Sequence, residues 1–216
     1  MKQPLLTIAQ KSVIKAVSIE PNLRDFYLSG GTALSAYYFK HRISDDLDFF
    51  CFDNPDATYL HAFADQLKQH VKVKTLRTQR LYDRNLFFFG LKGEELKIEF
   101  SKYPFIRLGK PMRKDGILID SLRDIAANKL MALLDRFDPK DFVDLYFLLQ
   151  KFPLSRIHRD AEKKFGTQID ILYLGGELTK VRRIVSLPKM LIPIEIEFLK
   201  DFFIKLAKTL GKRILA

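Results

Sequence analysis

The sequence predicts an α/β (α+β) fold, with a small mixed sheet and helices in the front half and an α-helical C-terminal half. Three observations carry this prediction. Short apolar runs in the front half alternate with period two, as in Glu95–Ser101, where Leu96, Ile98 and Phe100 oppose Lys97, Glu99 and Ser101. Hairpin-sized connections and stretches of helical period separate these runs. From Ser121 onward, apolar residues recur mainly at helical spacing. The 216 residues suit one large domain or two small ones, and the pattern divides them into an α/β part over 1–116 and a helical part over 117–216.

Taken in order, Leu5–Val17 has helical spacing through Leu5, Ile8, Val13 and Val17, and Pro21-Asn22 ends it. Asp25–Ser29 reads as a short strand stopped by Gly30-Gly31, Thr32–Lys40 as a helix, and Leu47–Phe52 as a strand. Asp56–His70 returns to helical period. Val71–Thr78, Asn85–Leu91 and Glu95–Ser101 form an antiparallel group. Tyr103–Gly116, punctuated by Pro and Gly, reads as a basic loop, and Ile117–Ile119 as a short strand. Helices are expected over 121–136, 139–151, 155–165 and 195–212, with Asp138-Pro139 as an N-cap followed by proline at the first helical position. Ile169–Pro193 is read as strand or loop around Gly175-Gly176. A cleft between the two halves is the expected place for a ligand.

The net charge of +11 favours an anionic partner such as nucleic acid, nucleotide or a membrane surface, although a basic balance also serves solubility. A single cysteine, Cys51, excludes an internal disulfide framework and fits a reducing, cytoplasmic setting. The N-terminus shows no signal-peptide pattern, and no apolar run is long enough to span a membrane. No membrane partner is expected.

The candidate chemistry begins in Tyr27–Phe52. In a strand, Asp46 and Asp48 share a face, with Cα atoms about 6.6 Å apart. Such a pair repels unless cations neutralise it, and its oxygens suit Mg²⁺, with Mn²⁺ as the alternative. On its own, an Asp-x-Asp reads more readily as a solvent-facing pair on an edge strand. Gly30-Gly31 admits close backbone approach, and Thr32, opening a helix, would present N–H groups to phosphate.

These residues resemble the nucleotidyltransferases of the polymerase-β superfamily, and within it the AbiEii/AbiGii-type toxins of bacterial toxin–antitoxin and phage-defence systems. The resemblance rests on Leu28-Ser29-Gly30-Gly31-Thr32-Ala33-Leu34 and Arg42-x-Ser44-x-Asp46-Leu47-Asp48-Phe49, then Ala127-Asn128-Lys129-Leu130 through Arg136, and Asp141-Phe142-Val143-Asp144-Leu145, and spans about 28–150. It implies that Asp46 and Asp48 hold metal, that Gly30, Gly31 and Thr32 hold the triphosphate of an NTP, and that a nucleotide is transferred with loss of pyrophosphate. The acceptors it implies are tRNA 3′ ends or protein side chains, and it also raises the possibility of a cognate antitoxin.

Other residues have two readings each. Glu99, pointing away from Ile98 and Phe100, is a third metal carboxylate and base, or an exposed acid paired with Lys97 or a cross-strand lysine. Lys129 and Arg136 project on the apolar side of their helix, so they meet triphosphate or a carboxylate, or snorkel at the helix edge. Asp141 forms an ion pair with them or supports the start of its own helix, and Asp144 lies at the edge of the same face. Arg42 and Ser44 could touch phosphate, or Arg42 could simply follow the preceding helix. The four histidines show no zinc spacing with Cys51 and are read as surface or packing residues. A basic, largely apolar helix at Glu195–Ile214 is core or a docking face. The leading function is a metal-dependent nucleotidyltransferase. The alternative is a nucleotide- or nucleic-acid-binding module of the same fold without turnover.

Overall fold

In the computed structural model of the chain, which describes residues 4–53 and 55–212, the rings of Phe26, Phe49, Phe63 and Phe87 pack on Phe100. A seven-stranded sheet is built around that cluster. Its strands are β1 (Tyr27–Ser29), β2 (Leu47–Cys51), β3 (Thr75–Leu81), β4 (Arg84–Gly90), β5 (Glu95–Lys102), β6 (Met112–Lys114) and β7 (Ile117–Ile119), in the order β3-β4-β5-β2-β1-β7-β6. β2 runs parallel to β5 and β1 parallel to β7, and the other neighbours are antiparallel. Helices α1 (Ile8–Ile19) and α3 (Ala57–Val71) pack on each other, and α3 also packs on β4. Thr7 and Gln10 close α1 with a capping box.

The short helix α2 (Gly30–Ala33) begins at Gly30 rather than Thr32 and continues as a π-helical stretch over Leu34–Phe39. Val71 belongs to the buried stripe of α3 with Leu60, Phe63 and Leu67. Lys72 ends α3 in the left-handed region, so β3 begins only at Thr75. The expected loop Tyr103–Gly116 contains β6. Asp115-Gly116, both at positive φ, turns β6 tightly into β7, as an Asp-Gly pair between two extended runs favours.

Contacts divide the chain into two units. The sheet unit comprises Met1–Tyr38, Ser44–Phe105 and Lys110–Ser121, and the helical unit comprises Phe39–Ile43, Ile106–Gly109 and Leu122–Ala216. The break falls after Ser121 rather than at 116 because β7 is paired with β1.

The helical unit contains α4 (Leu122–Asp135), α5 (Pro139–Leu149), α6 (Leu154–Phe165), α7 (Ile171–Thr179) and α8 (Ile196–Lys212). α4 packs on α5, α6 and α7, and α7 packs on α8, around Leu130, Leu148, Ile157, Leu174, Leu199 and Phe203. Asp138 caps α5 as expected, with Pro139 following it. The stretch Ile169–Pro193 holds α7, capped by Asp170, in place of a strand or loop. Burial of Leu174 and Leu178 outweighs the low helix propensity of Gly175 and Gly176 between them. Arg213 and Ile214 of the helix read as core or docking face lie outside the described residues. Among the described residues, no helix is long and apolar enough to cross a membrane.

Candidate active site

Asp48 lies on an interior strand, since β2 is flanked by β5 and β1. Its face is set by alternation: Leu47, Phe49 and Cys51 are buried, and Asp48 and Phe50 project to the opposite, half-buried side. Three contacts hold the approach to this strand. Gln10 Nε2 of α1 donates to the carbonyls of Ser44 and Asp45 at 2.9 and 3.0 Å. The Thr32 hydroxyl donates to the carbonyl of Asp46. Gly30, at φ +68°, lies against the Asp48 carboxylate so closely that a Cβ there would collide with it. The Gly-Gly-Thr segment therefore shapes the position of both aspartates, and the Thr32 hydroxyl itself is spent on Asp46. Ser29, opposite Asp48 on β1, donates to Asp120 at 2.8 Å.

Parallel pairing places Glu99 beside Asp48. One residue before the Leu47–Ile98 pair on the two strands, Lys97 Nζ lies 3.0 Å from Asp46 Oδ2. Burial disfavours the charged ammonium, but Asp48 and Asp46 outweigh it and raise the pKa of Lys97. The partner of Glu99 is Arg84 on β4, whose Nε and Nη2 both donate at 2.7 Å, and Ser101 Oγ adds a third bond at 2.6 Å. Burial pushes the Glu99 carboxyl up, yet these donors hold it below the usual range. It is thus a tightly held carboxylate rather than one poised to take a proton.

Among the described residues, no three His, Cys, Asp or Glu side chains form a metal-holding group. Two carboxylates nevertheless fit Mg²⁺, which commonly takes one or two protein carboxylates and completes its shell with phosphate oxygens and water. The space that Gly30 leaves for Asp48 suits the same use.

The helical unit holds a second charged cluster. Asp144, fully buried, accepts from Arg42 Nε and Nη2 at 2.7 Å each and pairs with Lys129 Nζ at 2.7 Å. His41 Nε2 is 2.8 Å from the same carboxylate. Lys129 also reaches Asp141 Oδ1 at 2.8 Å, and Arg136 donates to Asp141 Oδ2 at 3.0 Å. Burial favours the neutral acid, but the charges of Lys129 and Arg42 hold Asp144 well below the ordinary carboxylate range. Burial likewise opposes charge on Lys129, and Asp144 and Asp141 raise its pKa. Arg42 is 2% exposed and also donates to the Ile43 carbonyl. Arg136, with 58% of its side chain exposed, is the accessible cation of this group.

The sequence pattern does not mark His41, Gln10, Lys97 or Arg84 as site residues. Only Lys97 and Arg84 left a trace in the sequence: Lys97 shares the face of Glu99 by spacing, and Arg84 opens the strand hairpinned to it.

A family profile described as "Nucleotidyl transferase AbiEii toxin, Type IV TA system" matches residues 13–211, beyond the 28–150 span of the sequence resemblance. Uncharacterized protein aq_aa25 of Aquifex aeolicus (strain VF5) is 36% identical over 146 residues, covering 65% of this chain and 66% of that protein, just under two thirds of its length. Among solved structures, a candidate nucleotidyltransferase from Helicobacter pylori superposes with a TM-score of 0.64 at 18% identity, covering 95% of this chain and 92% of that one. MenT4, the nucleotidyltransferase toxin Rv2826c of Mycobacterium tuberculosis H37Rv, superposes with a TM-score of 0.55 at 14% identity, covering 94% and 82%. At these identities the structural likeness is one of fold.

Proposed function

Because the chain belongs to the AbiEii nucleotidyl transferase toxin family, we propose that it transfers a nucleoside monophosphate from an NTP to an acceptor, with pyrophosphate leaving. The observation that carries this reading is the shaping of Asp46 and Asp48 by one short segment, in which Thr32 holds the backbone of the first and Gly30 makes room for the second. Asp46 and Asp48 would hold Mg²⁺, with Mn²⁺ as the alternative, and the ion would neutralise and align the phosphates. N–H groups of the first helical turn, from Gly30 to Thr32, supply phosphate donors. Glu99 is assigned to holding Arg84 and Ser101 beside the aspartates rather than to metal or base chemistry. In the helical unit, Arg42, Lys129, Asp141 and Asp144 form a support whose charges satisfy one another, and Arg136 is the cation left accessible to an anionic substrate. Ser44 contributes its carbonyl to the Gln10 clamp.

The acceptor is proposed to be tRNA or protein, and the physiological context a toxin held in check by an antitoxin. Incubation with each labelled NTP, Mg²⁺ and either total tRNA or a cell extract tests the reading. Wild type is expected to label an acceptor, and Asp46→Asn or Asp48→Asn to lose labelling by at least about a hundredfold, as when charge stabilisation of a transition state is removed, with unchanged circular dichroism. Labelling that survives both substitutions overturns it.

The engagement of Glu99 by Arg84 favours one second reading, a nucleotide- or nucleic-acid-binding module without turnover. Calorimetry separates the two: tight NTP binding with no pyrophosphate released supports the second.

A further inference from the structure

Among the residues that contact Asp46, Lys97 is a cation to which nucleotide transfer has so far given no task. Lys97 and Glu99 share a face of β5, so a purely structural lysine would be expected on Glu99. That carboxylate is instead filled by Arg84 and Ser101. Lys97 reaches across to Asp46 on the neighbouring strand, at 3.0 Å, with 25% of its side chain exposed. Its partner is therefore one of the two carboxylates assigned to the metal. An ammonium and a divalent cation on one carboxylate repel each other, so both cannot keep that position. The lysine stem is flexible and ends in three rotatable donors, whereas the forked guanidinium of Arg84 is locked in a bidentate pair. Of Lys97 and Arg84, Lys97 is the one able to change partner.

We propose that Lys97 is a phosphate-binding residue of the nucleotide site, which exchanges the Asp46 carboxylate for a non-bridging oxygen of the NTP triphosphate when a divalent cation takes Asp46. This assignment rests on the nucleotidyltransferase reading. The same side chain then opposes metal entry without nucleotide and favours metal and nucleotide together. Such an exchange makes the two ligands bind cooperatively, because each removes a cost that the other would meet.

The test measures binding by the 216-residue chain without turnover. Mn²⁺ is titrated alone by electron paramagnetic resonance, and an α,β-methylene NTP analogue is titrated by calorimetry in excess Mg²⁺. Lys97→Met is expected to bind Mn²⁺ more tightly, by about threefold or more, since a competing cation on the same carboxylate is gone. It is expected to bind the analogue about tenfold more weakly, as for loss of one charge-assisted hydrogen bond. Lys97→Arg should restore much of the nucleotide affinity. Lys97→Gln, which keeps a donor toward Asp46 without the charge, serves where the Met variant does not fold. The exchange is overturned if either neutral variant leaves analogue binding unchanged, or if Mn²⁺ binding weakens or stays the same. Failure of wild type to bind the analogue even in excess Mg²⁺ would instead remove the nucleotidyltransferase reading and this assignment with it.

Discussion

Gly30 joins backbone strain to site geometry in a single residue. Its φ of +68° lies in the left-handed region, and the Asp48 carboxylate occupies the place where a Cβ would project. Gly30→Ala is expected to cost about 1–2 kcal/mol from the backbone alone and to displace Asp48 as well. A fall in melting temperature together with loss of labelling would be the signature, and an unchanged melting temperature would refute the strain. Asp144 is the corresponding residue of the helical unit. It answers Arg42, Lys129 and His41 in a buried setting, so Asp144→Asn leaves buried cations without their counter-charge. Destabilisation of about 3–5 kcal/mol is expected by urea unfolding, whereas a surface ion pair would give about 1 kcal/mol or less.

At the level of elements, α7 shows where packing outweighs local preference. Gly175 and Gly176 sit inside a helix, and a Cβ added at either would meet nothing within 4 Å. Gly175→Ala or Gly176→Ala is therefore expected to stabilise the chain by about 0.5–1 kcal/mol, through a less flexible unfolded state and better helix propensity. A lower urea midpoint in both variants would show that these glycines answer a constraint outside the helix. The β6–β7 hairpin is the opposite case. Asp115-Gly116 takes positive φ at both positions, and a Cβ at Gly116 would press on Ser18, so local turn chemistry and packing demand the same residue.

Over the whole molecule, the pH response follows from Asp144 and Glu99. Both carboxyls titrate below their ordinary values when folded, while in the unfolded chain they take up protons near pH 4. Below that value the unfolded state binds more protons than the folded one. The stability these groups supply is thus fully present above about pH 5 and falls as pH drops through their depressed folded values. The urea midpoint should be flat from neutral pH to about pH 5 and decline below pH 4, and the decline should be shallower in Asp144→Asn. A midpoint unchanged at pH 3 would contradict the assignment. What the sequence determined by itself was what short-range geometry encodes. Period-two alternation exposed the β2 and β5 faces, helical spacing marked the back half, and Asp138-Pro139 marked the start of α5. Gly-Gly and Asp-x-Asp, being local patterns, marked the segment from which the candidate site is built. Only the tertiary structure decided which cation answers each carboxylate. Arg42 and Asp144 stand 102 positions apart, Lys97 turned from Glu99 to Asp46, and His41 joined a buried network that no motif announced. Long side chains can reach any of several charges within a few ångströms, so their choice depends on strand register, burial and the competing partners already in place, and spacing along the chain carries none of these.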